Sequence, residues 1–195
     1  QQDWRDSLQQ VTAQPGVLAA APFVELQGML LRDLAIETAL VQGGHPEPQR
    51  QPASLSRRLP QQTYEACAAA EDGLMLGEQL ALRLDAAPGD RLTLIVPAQA
   101  GRGLPQQEVF TLVGTVTSGT ELDETLAVIP LDRAAAMVGG GVQGFRVRLA
   151  DVFAAPVMGW RLIQVLPPGY YARDWTQTHG NLYTAIQLSR DLVIL

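Results

Sequence analysis

Two histidines, His45 and His179, are the only side chains in the sequence whose ordinary pKa suits a general base near neutral pH. His45 stands in the run Gly-Gly-His-Pro at 43–46, which is typical of a solvated loop. His179 precedes a glycine near the start of a predicted helix, where capping or contact with water competes with catalysis. Neither a Gly-x-Ser-x-Gly motif nor a lysine-containing phosphate loop accompanies them. A hydrolase or other enzyme that uses His179 is therefore one hypothesis, which ranks behind the two binding roles given below.

One thiol and one acidic cluster are the remaining candidates for site chemistry. Cys67 lies in an alanine-rich run and is interpreted as a buried, small apolar side chain. It stands far from both histidines in the sequence, so no metal-ligand spacing is present. Glu121, Asp123 and Glu124 occupy a turn-like segment without calcium-loop spacing, which favours a solvated loop over a cation site. The sequence therefore predicts no catalytic residue, no metal site and no cofactor.

A Gly- and Pro-rich loop at 98–107 joins two predicted strands and has two interpretations. It is either an ordinary hairpin turn or a partner-binding loop, because loops of this length are often functional. The candidate partner-binding residues, which surround its tip, are Arg102, Gly103, Leu104, Pro105 and Gln106.

Composition and charge limit the class of protein. The net charge is −6 with scattered basic residues, which argues against a nucleic-acid partner. A hydrophobic content of 47% is enough for a packed core. No run reaches the roughly 20 apolar residues that span a bilayer, and no signal peptide opens the chain. The first residues, Gln-Gln-Asp, and the apolar run at 192–195 lead us to expect a segment of a longer polypeptide.

Hydrophobic period and turn residues predict the elements that would position these side chains. Helices are predicted at 3–11, at 132–138 with Asp132 as its cap, and at 176–195. Strands are predicted at 17–31 with an interruption at Pro22, and at 34–41, 91–96, 108–116, 126–131 and 142–149. The remaining segments are a strand followed by a helix at 73–84, an amphipathic stretch at 151–166 that Pro156 and Gly159 weaken as a helix, and a linker at 42–60.

Two features of this pattern bear on the fold class. Residues 34–41 suit helix or strand by period, and a hairpin with the preceding segment is favoured because Arg32-Asp33 makes a plausible turn. Short strands mixed with helices, without regular alternation, favour α+β over doubly wound α/β. Trp4, Trp160 and Trp175 stand among apolar residues and are predicted to pack in the core.

Several short phrases follow one another in an order that resembles one known family. They are Ala-Pro-Phe-Val at 21–24 with Gln-Gly-Met at 27–29, Leu-Gly at 76–77 with Pro-Gly-Asp at 88–90, Ser-Gly at 118–119 with Leu-Asp at 122–123, Ala-Val-Ile-Pro at 127–130, and Asp-Trp at 174–175 with Gly-Asn-Leu-Tyr at 180–183. Together they resemble the periplasmic domain of the LolC/LolE family of lipoprotein-releasing permeases, over nearly the whole chain. The LolE type fits slightly better, through 118–123 and Asp-Val-Phe at 151–153.

The resemblance implies a MacB-like periplasmic core of the α+β class. Residues 1–48 and 142–195 would form a discontinuous, membrane-proximal α+β lobe, and residues 49–141 an inserted β-rich lobe. It also implies a non-catalytic domain on the periplasmic side of the bacterial inner membrane. The first hypothesis is a LolE-type subunit that releases lipoproteins to the chaperone LolA. The second is a LolC-type subunit that binds LolA directly through the loop 98–107. The implied partners are lipoproteins, LolA, the other permease subunit and the ATPase LolD.

Overall fold

The computed structural model describes residues 4–44, 61–98 and 104–174, and this part of the chain has the predicted α+β class. In chain order the elements are α1 (Trp4–Thr12), β1 (Val17–Phe23), β2 (Glu25–Arg32), β3 (Ala35–Gly44), α2 (Gln61–Ala69), β4 (Gly73–Gly77), α3 (Glu78–Arg83), β5 (Arg91–Val96), β6 (Gln106–Val116), α4 (Leu122–Thr125), β7 (Leu126–Pro130), α5 (Leu131–Met137), β8 (Gly144–Leu149), a 3-10 turn (Val152–Ala154) and α6 (Ala155–Val165).

Six of these strands close into a barrel in the order β2-β3-β7-β4-β6-β5. The pairs β3–β7 and β4–β6 are parallel, whereas β2–β3, β2–β5, β4–β7 and β5–β6 are antiparallel. Because the barrel is closed, none of its six strands keeps an unpaired edge.

The core of the barrel follows from the alternation of side chains along its strands. In β5, and in β6 from Phe110 onward, every second residue is buried, as expected where one sheet face points inward. Leu30 pairs with Leu94, and Leu92 pairs with Phe110, and all four are fully buried. Strands β4 and β7 are buried at every position. Their outer faces are covered because α2 contacts both strands and α5 contacts β7.

The hairpin β2–β3 forms as predicted. Its two strands pair in unbroken register from Glu25 with Gln42 to Arg32 with Ala35. Asp33 reverses the chain with a φ of 52°, in the left-handed region that Asp tolerates better than most residues. The strand β3 continues to Gly44, so residues 42–44 belong to the sheet and not to the predicted linker. Residues 45–60 of that linker lie outside the described residues.

By compactness the chain divides into two units. The barrel unit comprises residues 20–146, and the terminal unit comprises residues 1–19 with 147–195. The division falls within β1 and β8, which pair with each other as a separate two-stranded sheet. It differs from the predicted boundaries at 48/49 and 141/142, because β2 and β3 pair with β5 and β7 and so belong to the barrel. The membrane-proximal role of the lobe that contains both ends of the chain stays a prediction.

Three helices differ from their predictions. Helix α2 was not anticipated, since its alanine-rich segment has little hydrophobic period. Helix α5 begins after Pro130, which is its N-cap, so the predicted cap by Asp132 is wrong; Asp132 lies inside the first turn. Helix α6 forms in spite of Pro156, because a proline in the first turn removes no helical hydrogen bond. The predicted helix at 176–195 lies outside the described residues.

Candidate functional site

The loop between β5 and β6 is the candidate partner-binding segment. The two strands pair as far as Val96 with Gln106, so both ends of the loop are held side by side on the barrel. Leu104 is 85% exposed and Pro105 is also exposed. Gln106 was assigned to the loop, but it is the first residue of β6, because its backbone pairs with β5. Arg102 and Gly103 lie outside the described residues.

The base of this loop is fixed by packing and by one ion pair. Leu94 in β5 and Phe110 in β6, the two strands that carry the loop, are fully buried. The guanidinium of Arg133 donates to Glu108 through Nε at 2.9 Å and lies 5.6 Å from the centre of the Phe110 ring. Glu108, two residues after the start of β6, is thereby paired with a cation from α5. The described part of the loop therefore presents hydrocarbon on a rigid base, which suits binding better than proton transfer.

Cys67 is buried as predicted, and its surroundings suppress thiol chemistry. Burial raises the pKa of the Cys67 thiol to about 12. Its Sγ lies 3.3 Å from the carbonyl oxygen of Val128, to which it donates. The thiol belongs to a cluster in which α2 packs on the barrel; its members are Tyr64, Cys67, Ala68, Met75, Val116, Leu126 and Val128. Because only the thiolate is a good nucleophile, Cys67 has a packing role in this structure.

The acidic cluster contains one residue whose predicted solvation is wrong. Asp123 is buried, and its carboxylate accepts hydrogen bonds from the backbone N–H groups of Ser118 at 2.6 Å and Gly119 at 2.8 Å. Hydrogen bonds from Ser118, through its side chain and its backbone, lower the pKa of the Asp123 carboxyl, and the bond from Gly119 adds to this. Glu121 and Glu124 are exposed. Asp123 thus closes the turn between β6 and α4.

No cluster of metal-ligating side chains occurs in the part of the chain that the structure describes. Among residues 4–44, 61–98 and 104–174, no three His, Cys, Asp or Glu side chains lie together as a metal site would require. Both His45 and His179 lie outside these ranges, so the hydrolase hypothesis is untested by the geometry.

Helix α6 holds a feature that the sequence interpretation missed. Trp160 was predicted to pack in the core, yet it is 68% exposed, and Val157 beside it is 64% exposed. Helix α6 is apolar on two sides, and only the side with Met158 and Leu162 is buried. Apolar period alone cannot tell which side is covered.

Comparison with known proteins adds the family context. No protein-family model matches the chain. The lipoprotein-releasing system transmembrane protein LolC of Neisseria meningitidis serogroup B is 30% identical over 99% of this chain and 48% of its own length. The lipoprotein-releasing system transmembrane protein LolE of Haemophilus influenzae is 23% identical over 98% of this chain and 47% of its own length. The chain thus spans about half the length of the curated relatives that it matches.

Solved structures give the same picture at the level of the fold. The extracellular domain of the noncanonic ABC-type transporter YknZ from Gram-positive bacteria covers 90% of this chain and 83% of its own, with a TM-score of 0.55 and 10% identity. The periplasmic region of MacB from Actinobacillus actinomycetemcomitans covers 83% of this chain and 73% of its own, with a TM-score of 0.49 and 16% identity. In the described residues, no helix has the length and apolar character needed to cross a bilayer.

These comparisons confirm the resemblance that the sequence phrases suggested. Over nearly its whole length the chain is similar to LolC and to LolE, and its fold is similar to that of the extracellular domain of YknZ. The identity to LolC is higher than the identity to LolE, so the slight preference for the LolE type is not resolved.

Proposed function

We propose, from this similarity to LolC and LolE, that the chain is the periplasmic domain of a permease subunit in a lipoprotein-releasing ABC transporter of the bacterial inner membrane. The observation that carries the proposal is the 30% identity to LolC over 99% of the chain. In this role the domain makes and breaks no bond. It transmits the movement of the membrane helices, which the ATPase LolD drives, and it helps to transfer lipoproteins to the chaperone LolA.

The rigid barrel supports a mechanical role. Its strands are closed on one another and filled by fully buried leucines and Phe110, so it would move as one body. A lipoprotein in transit must keep its acyl chains out of water, because each CH₂ that becomes exposed costs about 0.8 kcal/mol. A stiff domain that holds a chaperone close to the site of release would shorten that exposure.

The subunit type determines which surface contacts LolA. The LolE-type assignment is the first form of the proposal, supported by the phrases at 118–123 and 151–153. The LolC-type alternative has the loop 98–107 bind LolA directly. It is supported by the higher identity to LolC and by the exposure of Leu104 and Pro105 on a fixed hairpin.

Transport is tested with the full-length protein that contains this chain, reconstituted with its partner subunit and LolD in proteoliposomes loaded with a labelled lipoprotein. We expect ATP-dependent release of the lipoprotein to added LolA. As a control, proteoliposomes that contain a LolD variant without ATPase activity should release none. If the full-length protein neither copurifies with LolD nor supports release, the proposed function is wrong.

The choice between the two subunit types is tested by a pulldown of LolA with Arg102→Glu and Leu104→Ala. A LolC-type domain should lose most of its LolA binding in both variants, whereas a LolE-type domain should bind LolA weakly with or without them. Leu34→Ala is the matched control, because Leu34 is 98% exposed in the hairpin turn β2–β3 of the same barrel unit. If strong LolA binding survives both loop variants, the loop is not the contact.

A further inference from the structure

The exposed side of α6 is unusual for a helix surface in water. Six of its residues face solvent, and four of them are apolar: Pro156, Val157, Trp160 and Val165. Solvent-facing positions of a helix are normally charged or polar. The opposite side, with Met158 and Leu162, supplies the buried contact within the terminal unit. Helix α6 therefore has a second apolar surface, which we call the α6 outer face.

The charges around α6 are compatible with an anionic surface. The sequence between Asp151 and Asp174 contains Arg161 and Arg173 and no acidic residue, although the whole chain has a net charge of −6. Arg161 is exposed on the outer face itself, and Tyr171 follows the helix with 79% exposure. An apolar surface with Trp and Tyr, one or two arginines and no carboxylate has the composition of segments that lie at a membrane surface.

The size of the outer face bears on what could cover it. A helix of the length of α6, Ala155–Val165, is about 16 Å long, and one side of it is about 10 Å wide. A stable protein interface buries about 800 Å² on each partner, several times more than this strip provides. A bilayer needs no such area, because a few apolar side chains and an arginine are enough for reversible binding to an anionic surface.

We propose that the α6 outer face binds the surface of a lipid bilayer, with Trp160 and Val157 in the boundary between headgroups and acyl chains and Arg161 beside anionic headgroups. This inference deepens the proposed function. It rests on that function in one respect, which is that the chain works beside a membrane. Binding to lipid would give the terminal unit a fixed height above the bilayer, independent of any contact with a chaperone.

The test uses this chain and vesicles of phosphatidylethanolamine and phosphatidylglycerol at a ratio of 3:1. In flotation assays we expect Val157→Gln/Trp160→Gln to lower the partition of the protein into vesicles at least tenfold. Arg161→Gln should lower it less, and by an amount that shrinks as salt is added. Leu34→Gln is the matched control, because Leu34 is an even more exposed apolar residue of the barrel unit; this variant should bind vesicles like the parent.

A second measurement does not depend on variants of the face. With Trp4 and Trp175 replaced by Phe, the fluorescence of Trp160 should be quenched by vesicles that contain brominated acyl chains. Unquenched Trp160, or vesicle binding that is unchanged in Val157→Gln/Trp160→Gln, overturns the proposal. A concentration-dependent dimer in sedimentation velocity that the same double variant abolishes also overturns it, since a second copy would then cover the face. None of these results depends on lipoprotein transport. If the chain does not bind vesicles, the proposed function is unaffected. If the full-length protein does not release lipoproteins, binding of the chain to vesicles can still be measured.

Discussion

Gly77 stands where β4 passes into α3, and replacing it with alanine should destabilise the barrel unit. Its φ of −59° and ψ of 141° are accessible to any residue, so the cost is one of space. An added Cβ would meet the backbone of Asp123, lying 2.7 Å from its carbonyl carbon and 2.8 Å from its Cα. Carbon atoms pack at about 3.5 to 4.0 Å, so the two segments would have to separate by roughly 0.7 Å.

Asp123 cannot move away freely, because its buried carboxylate accepts the two backbone hydrogen bonds that close the turn after β6. Overpacking of this kind costs about 1–3 kcal/mol. Alanine also restricts the unfolded chain, which returns up to about 1 kcal/mol. We therefore expect Gly77→Ala to lower the free energy of unfolding by about 1–2 kcal/mol. For a unit of this size the midpoint of thermal unfolding should fall by about 4–8 °C.

The assay is thermal and urea unfolding followed by far-UV circular dichroism. Tryptophan emission would miss the barrel, because Trp4, Trp160 and Trp175 all belong to the terminal unit. Gly141→Ala is the matched control: nothing would lie within 4 Å of its added Cβ, and its stability should change by less than about 0.5 kcal/mol. If Gly77→Ala is as stable as Gly141→Ala, the close backbone approach that we infer at Gly77 is wrong.

Four further predictions follow from single contacts. Because the pKa of Cys67 is raised to about 12, its reaction with a disulfide reagent at pH 8 should be about a thousandfold slower in the folded protein than in urea. The pKa of Asp123 is lowered on folding, so its contribution to stability is fully present above its unfolded pKa and is lost as pH falls through the folded value. Asp123→Asn should be less stable than the parent at pH 7, with a difference in urea midpoint that begins to shrink near about pH 4 and disappears only below the lowered folded pKa. Leu94→Ala should cost about 2–5 kcal/mol in urea unfolding, since its side chain is fully buried in the barrel. Glu108→Gln should cost no more than about 1 kcal/mol, and less in high salt, because its pair with Arg133 is partly exposed; a larger loss would show that the ion pair fixes the base of the loop more strongly than its exposure implies.

Local features of the fold were predictable from the sequence. The turn at Arg32-Asp33, the strand that runs into a helix from Gly73, and the alternating strand at 91–96 were all predicted and all form. Each depends on residues close together in the chain, where turn preference and hydrophobic period act directly. Leu104 and Pro105, which precede Gln106 in the predicted loop, are exposed, as is usual in segments that Gly and Pro mark.

Features that depend on distant partners were not predictable. Closure of the barrel requires β7 to pair with β3, from which it is separated by more than 80 residues, and no local signal specifies this. Asp123 is buried because it accepts hydrogen bonds from the turn at Ser118. Its position among other acidic residues had instead suggested a solvated loop. The error at Trp160 was the reverse: it was predicted to be buried and is exposed. An apolar residue in a mostly apolar helix gives no sign of which face meets the core.

The position of β7 in the barrel has a consequence for folding during synthesis. It is the last of the six strands to be made, yet it lies between β3 and β4. Synthesis at about 5–20 residues per second leaves roughly 4 to 17 s between the completion of β3 and that of β7. Until β7 is made, β3 and then β4 each keep an unpaired edge, which can pair with a neighbouring polypeptide. The incompletely synthesised domain should therefore depend most on a chaperone that binds unpaired strands just before residue 130 is added.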